Sequence, residues 1–150
     1  MSVHPELQRA FMNIEHPGND KLLRSGTYDM NEVAFLEKYE NKNWQSIDRR
    51  ELEYNRSSLF FLSDDGLAYV IPAYLNLLAD QNYNDPYDIA EPLLTILSSG
   101  GRGRLKFNTR QAALINSLFL MPLEQIAEHE DDHESMGNIK LTRRFLFKNI

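Results

Sequence analysis

The chain has 150 residues, 42% hydrophobic and 25% charged, and its 22 acidic and 16 basic side chains leave a net charge of −6. A body of this length removes roughly 68% of its unfolded surface from water, so one domain spanning residues 1–150 is expected. Without cysteine there are no disulfides, thiolate metal sites or cysteine nucleophiles, and no stretch approaches the roughly 20 apolar residues of a membrane span.

The opening Met1-Ser2-Val3-His4-Pro5-Glu6 has neither a basic region nor an apolar run, and no signal peptide is visible, so a cytoplasmic protein is expected. Leu7, Phe11 and Ile14 recur at helical spacing after Pro5, and His16-Pro17-Gly18-Asn19-Asp20 ends that helix. Leu22 and Leu23 read as residues tucked against the body. Asp29 with Glu32 has capping-box spacing and introduces a helix ending near Tyr39. Trp44, isolated in a polar linker, reads as a core plug, because its apolar area is costly to leave wet.

Asp48 and Glu51 repeat the capping-box spacing ahead of Leu52. Leu59-Phe60-Phe61-Leu62 reads as a buried turn in helical surroundings, with a short strand or hairpin as the alternative. Leu67, Val70, Ile71, Tyr74, Leu75 and Leu78 carry the strongest apolar periodicity in the chain. Pro72 interrupts it, which predicts one helix from about Asp65 to Val70, capped by Asp64, and another from Pro72 to Asp80. Tyr69 and Tyr74 are expected to be structural, with hydroxyls reaching the surface.

Asp85 can cap a helix from Pro86 carrying Ile89, Leu93 and Leu97, which Pro92 should kink or divide at Glu91. Ser98-Ser99-Gly100-Gly101 is the clearest break, and residues 98–104 read as a flexible connector. Asn108 and Gln111 again have capping-box spacing, opening a helix through Ala112, Ile115, Leu118 and Phe119. Pro122 starts a new turn. The tail from Ile139 to Phe147 is ambiguous, since Leu141, Phe145 and Phe147 align poorly on one helical face. Short helices without an alternating strand pattern predict an all-α bundle of six or seven helices.

Charge is placed unevenly. Between Ser57 and Gly101 there is no Lys or Arg, while Asp64, Asp65, Asp80, Asp85, Asp88 and Glu91 all fall there. A second acidic block runs from Glu124 through Glu128, Glu130, Asp131 and Asp132 to Glu134. Cations cluster at Arg102, Arg104, Lys106 and Arg110, and again at Lys140, Arg143, Arg144 and Lys148. An acidic balance disfavours nucleic-acid backbones and steers cationic partners. The best interaction segment is Asp80 to Asp88, with Glu91 just beyond it. There Asp80, Asp85, Asp88 and Glu91 supply negative charge, and Tyr83 and Tyr87 supply rigid anchors.

Three motifs bear on chemistry. His129-Glu130-Asp131-Asp132-His133 matches H-E-x-x-H, which on one helix would aim His129 and His133 at a zinc ion with Glu130 as general base. The surrounding acids argue for a solvated helix end instead. Ser98 to Arg104 is glycine-rich and basic enough to meet an anion, but lacks the P-loop ending and the dinucleotide spacing. Adjacent carboxylates at Asp64-Asp65 and Asp131-Asp132 lack the opposed geometry of a glycosidase pair.

The progression Trp44, Leu52, Leu59-Phe60-Phe61-Leu62 and Pro72-Ala73-Tyr74-Leu75 resembles an uncharacterised family of small, acidic, cytoplasmic bacterial proteins. Gln111 through Phe119-Leu120 is similar to that family's later helix. The resemblance covers about residues 6–120 and departs at the C-terminus, where Phe145-Leu146-Phe147-Lys148 replaces a tryptophan-bearing end. It implies no catalytic residues and no cofactor. Small acidic bacterial proteins of this kind are often immunity proteins encoded beside toxins. The expected function is therefore non-enzymatic binding of another protein with a basic surface, a toxin being the concrete case, with no nucleic-acid or membrane partner. A zinc hydrolase and a homo-oligomeric structural protein are the alternatives.

Overall fold

A computed structural model describes residues 2–24, 43–80, 86–101 and 103–148. The Asp29/Glu32 pair and its helix lie outside these residues, as do Arg102, Tyr83 and Asp85. The chain folds as an all-α domain. Its helices are α1 (Pro5–Ala10), α2 (Asn19–Leu22), α3 (Arg49–Tyr54), α4 (Asp64–Leu78), α5 (Pro86–Ser98), α6 (Thr109–Ile115), α7 (Met121–His129) and α8 (His133–Phe147). Short 3-10 turns at Trp44–Ser46 and Arg56–Phe61 flank α3, and a π-helical segment, Asn116–Leu120, joins α6 to α7. In place of a hairpin there is one isolated antiparallel bridge, Leu23 to Leu62, among the described residues.

Helix α4 is the axis of the core. Twelve of its 15 residues are buried, and α1, α2, α3, the Trp44 turn and the π segment all pack on it. Pro72 does not divide it, contrary to the sequence expectation. An interior proline costs a helix about 3 kcal/mol, and the apolar side chains buried on both flanks of Pro72 outweigh that. Pro92 is likewise carried inside an unbroken α5, held by buried Ile89, Leu93 and Leu97.

The cap of α4 is also corrected. Ser63, not Asp64, is its N-cap and accepts a hydrogen bond from the Gly66 N–H. Glycine is obligatory at 66, because a Cβ there would sit 2.3 Å from the Leu22 carbonyl oxygen. Trp44 is buried as expected, and its indole N–H donates to the Phe11 carbonyl at 3.1 Å. Tyr69 and Tyr74 are fully buried, so their hydroxyls do not reach the surface. Tyr74 donates to the Leu52 carbonyl at 2.8 Å, and burial, with Glu51 nearby, pushes the Tyr69 phenol well above its usual range.

The remaining helices are set by local signals that the chain spells out. Asn108 and Gln111 form the complete reciprocal capping box at the start of α6, and the Gln111 amide also donates to the Ala10 carbonyl at 3.0 Å, tying α6 to α1. The tail is helical. α8 buries Ile139, Thr142 and Leu146 against α5 and α7, and turns Leu141 and Phe147 outward. The poor alignment of Leu141 and Phe147 in the sequence is explained by that exposure.

Candidate functional site

Glu91 of the first acidic block and Asp132 and Glu134 of the second, far apart in the sequence, come to one cleft because α8 packs on α5 and against α7. Between the three helices lies a cleft of about 180 Å³, lined by Glu91 and Thr95 of α5, Leu123 of α7, and Asp132, Glu134 and Asn138 at the start of α8. Each acid arrives for a local reason. Glu91 sits on the exposed side of α5, opposite buried Leu93 and Leu97. Asp132 is the N-cap of α8 and accepts from both the N–H and the hydroxyl of Ser135. Glu134 occupies the first turn of α8, where the helix dipole favours a carboxylate.

No cation neutralises Glu91 or Glu134 among the described residues. Arg143 ties α8 to α7. Its guanidinium pairs through both terminal nitrogens with Glu124 of α7, one of these bonds being 3.1 Å. Its Nε donates to Asn116 of the π segment at 2.9 Å. The hydrogen bond from Arg143 holds the Glu124 carboxyl below the usual range, against a smaller opposing effect of burial. Glu91 and Glu134 offer the cleft negative charge that no cation among the described residues pairs. It fits a cationic group, and the hydroxyls that line it belong to Thr95 and Ser135, the latter donating to Asp132.

The predicted binding residues divide. Asp80 follows the C-cap of α4, its N–H bonded to the Leu77 carbonyl at 3.1 Å, and it does not line the cleft with Glu91. Tyr87 and Asp88 belong to the first turn of α5, and helical register sets their positions beside that of Glu91. Tyr83 and Asp85 lie outside the described residues. Asp132 and Glu134 were recognised in the sequence as acidic but not as neighbours of Glu91, since only the α5–α8 contact joins them.

The zinc alternative loses its geometric premise. His129 ends α7, Glu130 leaves the helical conformation, Asp131 takes a left-handed φ of 57°, and His133 begins α8. The two imidazoles therefore do not sit one turn apart on a single helix. His133 instead approaches Asp131 at 3.4 Å, both well exposed. Among the described residues, no group of three or more His, Asp or Glu side chains is arranged to hold a metal ion.

Comparison of the chain with protein-family models, with curated proteins and with solved structures gave no match. The resemblance to small acidic bacterial proteins thus rests on its own residues. No helix among the described residues is long and apolar enough to cross a membrane.

Proposed function

We propose that this chain is a non-enzymatic protein-binding module that receives a basic segment of its partner at the cleft between α5, α7 and α8. The observation that carries this reading is the convergence of Glu91, Asp132 and Glu134 on one small cavity, with Glu91 and Glu134 unneutralised by any described cation. Pockets for drug-sized ligands run about 300–1,000 Å³. At about 180 Å³ this cleft suits the end of a lysine or arginine side chain presented by a larger surface.

The acidic surplus of the chain would steer such a partner, and the positions of Tyr87 and Asp88, one turn before Glu91, would extend the contact along α5. In the concrete form of this reading the chain is an immunity protein that covers the basic surface of a toxin. The resemblance noted above supports that form. That reading keeps Asp80, Tyr83 and Asp85 as further candidate contacts.

The test is affinity capture from an extract of the source organism on wild-type protein and on Glu91→Lys/Glu134→Lys protein, followed by titration of the captured partner. A partner held by the wild type and lost by the charge-reversed variant, with association slowed by salt, supports the cleft. A partner held equally by both removes it.

A further inference from the structure

The far end of α8 closes a second and larger cavity, of about 610 Å³. Its floor is apolar, made by Leu105, Phe107, Phe145 and Leu146, and the rings of Phe107 and Phe145 meet edge to face with centroids 6.5 Å apart. One wall is the glycine turn after α5. Gly100, at φ 77°, runs so close to Phe145 that a Cβ would lie 3.3 Å from its ring, so the backbone itself lines the aromatic floor. The turn is fixed from below by Asp64. This buried carboxylate accepts the Arg104 N–H at 2.8 Å.

Two cations stand at this floor, Lys106 and Lys148. Both are exposed, and neither pairs with a carboxylate among the described residues. No Asp or Glu lines the cavity among the described residues, although the chain as a whole carries −6. Arg104, in the same turn, reaches Asp65 only at 3.9 Å and keeps 79% of its side chain exposed. An acid-free, doubly cationic mouth over half-buried aromatic rings is chemically the reverse of the cleft at the other end of the helix.

We propose that this cavity binds a small amphipathic anion, with its carboxylate or phosphate group on Lys106 and Lys148 and its apolar or aromatic body on Phe107 and Phe145. The volume falls within the range of small-molecule sites, about 300–1,000 Å³. A bare inorganic anion would leave the aromatic floor uncovered. A neutral apolar ligand would bring two ammonium groups over its own surface without a counter-charge. A ligand with both parts satisfies both surfaces. Fatty-acid and nucleoside phosphate chemistry share this pattern.

The test uses the full chain and a fluorescent probe of the same class, anilinonaphthalene sulfonate, whose sulfonate is attached to an aromatic body. Saturable binding to a single site is expected. Lys106→Glu/Lys148→Glu should weaken it at least about tenfold, while Lys106→Arg/Lys148→Arg retains it. Phe107→Ala should weaken it with the charges intact. Displacement by laurate or by adenosine monophosphate separates the two sources of the ligand. Binding that is unchanged by charge reversal, or equalled by inorganic phosphate alone, overturns the proposal. So does a sedimentation coefficient that rises with protein concentration and falls in salt, because the occupant would then be the acidic cleft of a second copy.

Discussion

Helix α8 ends in two opposite sites, and they differ in more than sign. At its start, Asp132 and Glu134 border a narrow cleft with little apolar wall. At its finish, Lys148 borders a cavity about 610 Å³ in volume, floored by two phenylalanine rings. The 15-residue helix sets them roughly 20 Å apart at 1.5 Å per residue. The helix dipole alone favours acids at the first turn and cations at the last, by about 0.3–1 kcal/mol each. The dipole of α8 thus accounts for Asp132, Glu134 and Lys148 without any ligand, but not for Glu91 on α5 or Lys106 ahead of α6, which lie outside that helix. Shape carries the distinction. A polar notch suits one side chain of a large partner, whereas an aromatic-floored hollow suits a whole small molecule.

The comparison breaks most readily at the basic end. Leu146 is buried beneath the cavity, and Leu146→Ala should cost about 2–5 kcal/mol in chemical denaturation. Probe binding at the basic end should fall, while capture at the acidic cleft survives in the folded fraction. Asp64→Ala comes next. It removes the acceptor from the Arg104 N–H, and losing that partly buried hydrogen bond to a charged group should cost about 1.5–3 kcal/mol. Because Asp64 touches the glycine turn and not the cleft, loss of partner binding in this variant would show that the two ends are not independent.

What the sequence disclosed follows the range of the forces involved. The Asn108/Gln111 box and the burial of Trp44 were legible because each is decided within a few residues or by one large side chain. Pro72 misled because its local penalty is real, but it is outweighed by apolar contacts from helices elsewhere in the chain; at Pro92 only the division of the helix is overturned. The break inside His129–His133 had a readable signal. Asp132 with Ser135 is an N-cap spacing, and it begins a helix in the middle of the zinc motif. The union of Glu91 with Asp132 and Glu134 had none, since it depends on which helix α8 packs against.

A smaller effect sharpens the comparison from the acidic side. Arg143 braces α7 against α8 through Glu124, whose carboxyl it holds below the ordinary value. Since the folded-state value is the lower one, the pair's contribution is complete above the unfolded Glu value. It is lost as pH falls through the folded one. Both side chains are partly exposed, so solvent limits it to about 1 kcal/mol or less. Arg143→Met should remove that acid-dependent component from the pH–stability curve. If the curve is unchanged, the brace contributes nothing to holding the cleft.

The smallest effect has the opposite sign and tests whether α8 acts as a rigid spacer. Gly137 lies inside the helix, exposed, and a Cβ there meets no atom within 4 Å. Gly137→Ala should therefore stabilise the protein by about 0.5–1 kcal/mol, because it restricts the unfolded chain and strains nothing in the folded one. Gly137 lines neither cavity. A rise in melting temperature with both binding reactions unchanged is the outcome for two independent sites on a stiff helix. If the alanine instead alters affinity at either end, binding there draws on bending or fraying of α8. The permissive glycine would then be part of how the acidic and basic ends communicate.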